Sequence, residues 1–337
     1  MNRVLVPLAL SPGTAPPGGA VRHLHGASMG TSWSVRLAGD GRIAIADIEA
    51  LVRRELDAVI AQMSTWEPGS DISRFNAAPA GSWHALPAAF ATVVDCALTV
   101  AAQSGGAFDP AVGPLVDLWG FGPHGRPGTI PPEAELQRLR AQAGWRRLEF
   151  DRAGRRLRQP GGVRLDLSGI AKGYAVDAVA AALARAGIGN CLVEVGGELR
   201  GSGVKPDGTP WWVELEQPSH GAGENGAPAL PRTLLALHGL AVATSGDYRR
   251  FFDRAGRRYA HTIDPRTGCP VEHAPASVAV VHPECMAADA LATALTVLGL
   301  DEGERWARRH GLAARFIARG EGGFTEILTP ALAAMLE

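Results

Sequence analysis

The sequence predicts an α+β fold with mostly antiparallel sheets covered by helices. Helical and strand-like segments are interspersed without the strict alternation of a doubly wound fold. Neighbouring strand-like segments are short and closely spaced, which favours hairpins. The chain has 337 residues, of which 46% are apolar and 20% are charged, as in an ordinary globular protein. The GIAKG segment at 169–173 lacks the G-x-G-x-x-G spacing of a dinucleotide fingerprint, and the chain contains no P-loop motif.

The N-terminal part of the chain begins with a segment rich in proline and glycine. Residues 1–20 are predicted to be a flexible tail, and residues 21–337 to form the folded domain. Residues 31–38 alternate like a half-buried strand, and residues 44–63 have helical periodicity. A loop is predicted over residues 64–76.

The middle of the chain contains a second helix and a small inserted unit. The helix spans about 87–104, with Pro87 at its start and two glycines at its end. The inserted unit covers about 123–160 and is predicted to hold a helix at 132–142 and short strands around 146–159.

The remaining elements follow in close succession. A strand over 161–167 is predicted to lead into a helix over 174–187. The composition of residues 217–232 indicates a flexible surface loop. A helix spans 286–299, and a helix, a strand and a helix finish the chain. The other predicted strands lie in the segments 191–197, 198–204, 211–217, 234–244, 248–253, 257–264 and 277–282.

Charge and cysteine content exclude several classes of protein. The net charge of −1 argues against a nucleic-acid-binding protein, which normally carries a basic excess. The four cysteines form no C-x-x-C pair and match no zinc-binding spacing, so we expect no disulfide framework.

The apolar run at residues 4–10 resembles a signal peptide only superficially. Pro7 interrupts it, and no cysteine follows that could carry a lipid. As written, the chain is expected to be cytoplasmic. If the start codon is mis-assigned, a periplasmic location remains open.

Two oxygen-bearing side chains share one face of the helix at 286–299. Asp289 and Thr293 are four residues apart, and the opposite stripe is apolar. One interpretation is purely structural, because an acid near a helix N-terminus complements the dipole and a mid-helix Thr can bond to the preceding turn. The other is a site for a hard cation such as Mg²⁺, which takes oxygen ligands.

The segment YAHTIDPRTGCPV places a histidine where a strand ends. His261 precedes a turn set by Asp264-Pro265 and Thr267-Gly268. It is the best placed of the ten histidines to act as a general base, although a structural role is equally open.

The stretch DLSGIAKGYAVD contains one of only two lysines among 33 basic residues. Gly169 and Gly173 permit close backbone approach, and the following helix N-terminus offers N–H groups to an anion. Lys172 would add a compact positive charge there. A helix start capped by Ser168 is the structural alternative.

Several aromatic residues also lie in loop-like sequence. Trp66, Phe108, Trp119 and Phe121 are either core side chains or walls for a flat, stacking ligand.

Taken together, these segments resemble the FAD:protein FMN transferase family, the ApbE-like flavin transferases. The matching segments span residues 28 to about 298 in the expected order. They are SMGTSWSV, MSTWEPGSDISRFN, GGAFDPAVGPL, LDLSGIAKGYAVD, VEVGGELRGSG, ATSGDYRRFF, YAHTIDPRTGCPV and ASVAVVHPECMAADALATAL. The resemblance implies an α+β architecture of the tunnelling-fold kind and makes residues 21–337 a flavin transferase domain.

The resemblance also implies roles for individual residues. A magnesium ion would be held by the main-chain carbonyl of Gly169 and by Asp289, which counts as catalytic, and Thr293. His261 would be the base that activates the acceptor hydroxyl. The predicted FAD contacts are Met29, Trp66, Ala107, Phe108, Asp109, Asp166, Lys172 and Ile263.

The activity implied is Mg²⁺-dependent transfer of FMN from FAD to a Thr or Ser hydroxyl of an acceptor protein, with release of AMP. The expected acceptor is a flavoprotein subunit or domain with a Gly-Ala-Thr/Ser site, such as those of membrane redox complexes. Two alternatives remain open: an Mg²⁺-dependent FAD pyrophosphatase that yields FMN and AMP, and a non-catalytic FAD-binding protein.

Overall fold

The computed structural model describes residues 3–9, 16–125, 128, 130–218, 230–247, 251–254, 257–272, 275–320 and 323–337. The helices are α1 Ile45–Met63, α2 Asp71–Asn76, α3 Ala88–Gln103, α4 Gly113–Leu118, α5 Glu133–Gln142, α6 Ala171–Arg185, α7 Cys285–Arg309 and α8 Pro330–Ala333. The strands are β1 Arg3–Leu5, β2 Val21–Ser28, β3 Thr31–Ala38, β4 Trp83–Ala85, β5 Glu149–Asp151, β6 Arg156–Arg158, β7 Cys191–Val195, β8 Glu198–Ser202, β9 Trp211–Glu214, β10 Thr233–Leu237, β11 Leu240–Gly246, β12 Phe251–Arg254, β13 Arg257–Ala260, β14 Ile263–Asp264, β15 Cys269–Pro270, β16 Ser277–His282, β17 Ala313–Gly320 and β18 Gly323–Leu328.

An eight-stranded sheet organises the molecule, in the order β18-β17-β16-β11-β8-β7-β3-β2. Each pair of neighbouring strands in it is antiparallel. This arrangement confirms the predicted fold class.

Helices α1, α6 and α7 pack together and against this sheet. Their apolar stripes have the predicted period: Ile48, Val52 and Leu56 of α1 are almost completely buried. The predicted apolar stripe of α7, at Leu291, Leu295 and Leu298, also lies in the core. Burial of these stripes leaves the α6–α7 contact at the centre of the molecule.

The prediction of a flexible N-terminal tail is wrong for residues 3–5. These residues form β1, which pairs in parallel with β10, and Leu5 is completely buried. The N–H of Val6 also donates to the carbonyl of Met335 at 2.8 Å. The start of the described chain is therefore part of the fold.

The predicted strand at 161–167 does not form. Only an isolated bridge between Val112 and Arg164 is present there. The predicted alternation is nevertheless real, because Val163, Leu165 and Leu167 are buried. Asn76 takes the place of a strand partner: its side chain donates to the Leu165 carbonyl at 3.0 Å and accepts the Leu165 N–H at 2.7 Å.

Other boundaries differ from the predictions in smaller ways. The loop predicted at 64–76 contains α2, whose N-terminus is capped by the Ser70 hydroxyl. The segment before 31–38 forms the unpredicted strand β2. Helix α6 starts at Ala171, three residues earlier than predicted. The backbone of α7 is kinked at Gly299, with φ +78°, and the part of α7 after the kink is the predicted next helix. Two strands and a short helix follow, where one strand and a helix were predicted.

Two predicted units can be compared only in part. The unit at about 123–160 contains α5, β5 and β6, but β6 also pairs with β4 from outside the unit. Most of the predicted loop at 217–232 lies outside the described residues. In the part of the chain that the structure describes, no helix is long and apolar enough to cross a bilayer.

Candidate active site

Gly169 and Thr293, predicted to bind one metal ion, lie against each other. A Cβ atom placed on Gly169 would be 2.8 Å from Thr293 Oγ1 and 3.4 Å from Phe108 Cε2. Only glycine, which has no Cβ atom, permits this close approach. The contact joins three segments that the sequence analysis assigned to one site.

Asp289 lies one turn before Thr293 on α7 and contacts the first turn of α6, which follows Gly169. Its Oδ2 accepts the backbone N–H of Gly173 at 3.0 Å, in the first turn of α6. This N–H is one of the helix-terminal donors that have no partner inside the helix. Asp289 is 6% exposed and thus joins α6 to α7 from within the core. The predicted Ser168 cap is absent, since α6 has no side-chain cap at its N-cap position.

The donor set formed by Gly169, Asp289 and Thr293 consists only of oxygen atoms. No group of three His, Cys, Asp or Glu side chains suited to a metal occurs among the described residues. A carbonyl, a carboxylate and a hydroxyl are hard ligands, and Mg²⁺ often binds through one carboxylate and keeps room for water and phosphate. The close approach of Gly169 to Thr293 brings these oxygen ligands together, so these residues are suited to hold Mg²⁺.

Lys172 lies in the first turn of α6, not in a glycine-lined loop as predicted. Its Nζ forms an ion pair with Glu198 Oε1 on β8, and the Glu198 side chain is 1% exposed. A Cβ at Gly196 would lie 3.2 Å from Lys172 Cδ, so the lysine stem runs along a narrow passage. Glu198 was not predicted to belong to the site, because the only indication in the sequence is its position after two glycines.

A second ion pair joins β8 to α6. Arg200 Nη1 contacts Asp177 Oδ1 at 2.6 Å and also donates to the Pro283 carbonyl at 2.7 Å. Asp177 Oδ2 accepts the Met286 N–H at 2.9 Å, at the start of α7. Thus Asp177 of α6 caps α7, while Asp289 of α7 caps α6. The sequence analysis missed this reciprocal arrangement because neither pair is local in sequence.

The predicted FAD contacts Ala107, Phe108 and Asp109 lie in one buried loop. The Asp109 carboxylate accepts the N–H groups of Ala111 at 2.7 Å and Trp145 at 3.0 Å. Burial raises the pKa of Asp109 to about 6, against the lowering effect of these hydrogen bonds. The carboxylate therefore ties the loop that carries Phe108 to the inserted unit.

Asp166 lies just before Gly169. Its Oδ1 accepts the Ser168 N–H at 2.8 Å, which makes a tight turn into the SGIAKG segment. Burial raises the pKa of this carboxyl group. The prediction that Asp166 ends a strand is wrong, but its placement beside the SGIAKG turn agrees with the expected site.

Met29 and Trp66 lie nearer the surface. Met29 has φ +53° and Gly30 has φ +70°, so they form the two-residue turn between β2 and β3. Met29 is held in a conformation that non-glycine residues rarely adopt. Trp66 is 62% exposed, and its ring is thus open to solvent.

His261 follows β13 and faces the edge of the Phe121 ring, with ring centroids 6.4 Å apart. Ile263 is buried in a small cluster with Leu115, Trp119 and Leu136. Of the two interpretations of Trp119, its burial supports the core side chain and not the wall for a stacking ligand.

The turn after His261 is fixed to α7. Arg266 Nε and Nη2 each lie 3.0 Å from an oxygen of Asp264, and Nη2 donates to the Val297 carbonyl at 3.4 Å. Val297 lies one turn beyond Thr293 on α7, so the histidine segment and the oxygen-donor cluster share one support. Because Asp264 is engaged by Arg266, His261 is the better candidate for a base.

A cavity of about 700 Å³ lies away from these residues. It is lined by residues such as Leu8, His238 and Met335, and by no residue predicted to bind FAD or metal. The candidate site is defined by the convergence of the Gly169, Asp289 and Thr293 segments.

Comparisons with known proteins agree with this geometry. Residues 29–316 match the ApbE family. The chain is 36% identical over 323 residues to the FAD:protein FMN transferase of Salmonella typhimurium, covering 95% of this chain and 91% of that protein. It is 38% identical over 306 residues to the FAD:protein FMN transferase of Vibrio cholerae, covering 90% of this chain and 89% of that protein.

Solved structures give the same result. The apo form of the flavinyl transferase ApbE of Pseudomonas stutzeri superposes with a TM-score of 0.85 at 39% identity, covering 94% of this chain and 96% of that one. The flavin transferase ApbE of Vibrio cholerae superposes with a TM-score of 0.83 at 36% identity, covering 93% and 98%.

Proposed function

The chain belongs to the ApbE family, and from this premise we propose that it transfers FMN from FAD to a hydroxyl group of an acceptor protein. The observation that carries the proposal is the convergence of the Gly169, Thr293 and Asp289 segments, which offers a carbonyl, a hydroxyl and a carboxylate as oxygen ligands. A protein that merely stores flavin has no need of a hard-cation site beside the ligand. A cation held by these oxygen atoms would suit the pyrophosphate of a dinucleotide.

The chemistry is an exchange of one phosphoester bond for another. The acceptor Thr or Ser oxygen attacks the FMN-side phosphorus of FAD, and a new O–P bond forms. The P–O bond to the adenylate half breaks, and AMP leaves with the bridging oxygen. The hydroxyl proton passes to His261, so charge and atoms balance.

The residues of this chain provide position and electrostatics, as phosphoryl transfer requires. The Gly169 carbonyl, Asp289 and Thr293 would hold Mg²⁺. When bound, Mg²⁺ neutralises pyrophosphate charge and stabilises the AMP leaving group. The first turn of α6 would offer N–H groups to the same anion, and the Lys172 ammonium, which pairs with Glu198, would add a positive charge there. Met29, Trp66, Asp166, Ile263 and the loop 107–109 would hold the rest of FAD.

The proposed acceptor comes from the family resemblance. It implies a Thr or Ser hydroxyl of a partner protein, within a segment such as Gly-Ala-Thr/Ser, that would enter beside His261. A flavin-carrying subunit or domain, such as one in a membrane redox complex, meets this requirement.

The proposal is tested by incubating the protein with FAD and Mg²⁺, with and without an acceptor peptide containing Gly-Ala-Thr. AMP should appear together with an acceptor whose mass has risen by one FMN less one water. AMP release at an equal rate without the acceptor would instead indicate the pyrophosphatase. FAD binding without AMP would indicate the non-catalytic protein.

Variants of α7 separate the metal assignment from a general effect on folding. Asp289→Asn keeps an acceptor for the Gly173 N–H but removes the charge, so it should abolish AMP release and the thermal stabilisation by Mg²⁺. Thr293→Val should weaken the Mg²⁺ response more mildly. Thr296→Val is the matched control, since Thr296 Oγ1 bonds the Ala292 carbonyl inside the helix at 2.8 Å. Wild-type Mg²⁺ dependence in Asp289→Asn would refute the metal assignment.

A further inference from the structure

An aromatic cluster surrounds the segment that carries His261. The centroid of the Trp119 ring lies 5.7 Å from that of Tyr259, which lies 5.0 Å from that of Phe252. Phe252 stacks on Phe121 at 5.6 Å. Phe121 in turn meets the His261 ring edge-on at 6.4 Å and an interplanar angle of 72°. We call Trp119, Phe121, Phe252 and Tyr259 the aromatic clamp.

Two members of the aromatic clamp lie on the same short segment. Trp119 and Phe121 are two residues apart at the end of α4, and between them the chain turns at Gly120 with φ +83°. The Trp119 ring packs against Tyr259, and the Phe121 ring packs against His261, which follows Tyr259 by two positions. The peptide that carries the imidazole is thus held on both sides of Ala260.

A hydrogen bond fixes the turn that follows. The indole N–H of Trp119 donates to the Gly268 carbonyl at 2.8 Å, and Trp119 is 4% exposed. A buried donor of this kind is costly to leave without its partner, so the hydrogen bond fixes the position of the Gly268 carbonyl. The end of α4 is therefore connected to the histidine segment both before and after the imidazole.

We propose that Phe121 is a positioning residue that sets the orientation of the His261 imidazole, and that Trp119 anchors the backbone that carries it. This inference rests on the proposed function, because it takes His261 as the base for the acceptor hydroxyl. Edge-to-face ring pairs have a preferred relative orientation. A small displacement of a catalytic group can lower the rate by about 10²-fold.

The experiment measures kcat and KM for FAD during transfer to the acceptor peptide. Phe121→Leu should lower kcat by about 10–100-fold and leave KM for FAD nearly unchanged, because no flavin contact is assigned to Phe121. Phe121→Tyr keeps the ring and should retain near wild-type kcat. Phe324→Leu is the matched control, a half-buried phenylalanine on β18, and should have no effect.

A double mutant distinguishes positioning from general loosening of the fold. If Phe121 acts through His261, Phe121→Leu should cause no further loss in a His261→Ala background. Additive losses, or wild-type kcat in folded Phe121→Leu, would overturn the inference. If Phe121→Leu does not fold, Trp119→Phe decides the question: it keeps one aromatic ring, loses the indole N–H and the five-membered ring, and should also lower kcat.

The outcomes also separate this inference from the proposed function. A wild-type protein that forms no FMN-acceptor adduct refutes the proposed function. Transfer that depends on His261 but is indifferent to Phe121 and Trp119 refutes only the positioning role. Wild-type transfer in His261→Ala would show that His261 is not the base, and it would therefore also refute the positioning role of Phe121.

Discussion

Asp109 illustrates how a single buried carboxyl group links stability to pH. Its pKa is raised by burial from 3.8 to about 6, whereas in the unfolded chain the group regains its ordinary value. Between these values the unfolded carboxyl is ionised and the folded one is protonated. The free energy of unfolding contributed by Asp109 is therefore fully present below about pH 4 and is lost as pH rises through about 6.

Asp109→Asn removes this titration and keeps the shape. At about 1.36 kcal/mol per pKa unit, the unfolding free energy of the wild type relative to Asp109→Asn should fall by up to about 3 kcal/mol between pH 4 and pH 7. Urea unfolding of both proteins at several pH values checks this prediction. The difference between the proteins cancels other groups, including Asp166, whose pKa burial also raises. Parallel pH curves for the two proteins would contradict it.

Lys172 shows why a lysine suits this position. Its stem passes Gly196 and Thr31 to reach Glu198, which is almost completely buried. A guanidinium is broader and offers a planar fork, whereas an ammonium is compact and suits a narrow passage. The rarity of lysine in the sequence pointed to this residue, but the partner could not be predicted because Glu198 lies on a strand after α6.

At the scale of elements, the α6–α7 contact depends on the absence of a side chain at Gly173. A Cβ there would overlap the Cys285 carbonyl oxygen and lie 2.8 Å from Asp289 Cβ. Alanine in a helix normally gains about 0.5–1 kcal/mol over glycine. Overpacking against a backbone atom costs about 1–3 kcal/mol and therefore outweighs that gain.

Gly173→Ala should accordingly lower the free energy of unfolding by about 1–2 kcal/mol, because overpacking outweighs helix propensity. It should also weaken the thermal stabilisation by Mg²⁺, since α6 would push Asp289 away. Gly189→Ala is the control: a Cβ at Gly189 meets nothing within 4 Å and should change stability by less than about 1 kcal/mol. Denaturant unfolding with and without Mg²⁺ measures both effects, and equal stability of the two variants would refute the prediction.

Elements defined by local pattern were predicted well, and elements defined by distant partners were not. The apolar stripes of α1 and α7 have helical period, and both helices are where the sequence placed them. At 161–167 the alternation predicted burial correctly, but Asn76 supplies the hydrogen bonds that a neighbouring strand would have made. The start of α6 was missed because its cap is Asp289, 116 residues away from Gly173.

The same distinction holds for the candidate site. Gly169, Asp289 and Thr293 were predicted together through a family resemblance, and the fold brings their segments into contact. Glu198, Asp177 and Arg200 support that site but have no local motif, since each acts across an α6–β8 or α6–α7 contact. Only the assembled fold places their charges on the elements that carry Gly169, Asp289 and Thr293.

At the scale of the whole molecule, the two ends of the chain meet. β1 lies between β10 and the C-terminal residues: Leu5 bridges to Leu336, and the Glu337 N–H donates to the Val4 carbonyl at 3.2 Å. Arg3 forms an ion pair with Glu326 on β18, and Glu326 also pairs with the buried Arg315. Residues 3–5 thus close a second core between the small β1-β10-β9 sheet and the main sheet.

Because β1 pairs with β10 and contacts the C-terminal residues, we expect residues 3–5 to contribute to stability, although their sequence resembles the start of a signal peptide. Leu5 is completely buried in the second core, whereas Leu8 is 71% exposed. Leu5→Ala should lower the free energy of unfolding by about 2–5 kcal/mol, because it leaves a cavity in that core. Leu8→Ala, the matched control, should change it by less than about 0.5 kcal/mol. Denaturant unfolding of both variants measures the difference. Equal stability of the two variants would mean that β1 does not pair with β10 in solution and that the first residues form a flexible tail, as predicted from the sequence.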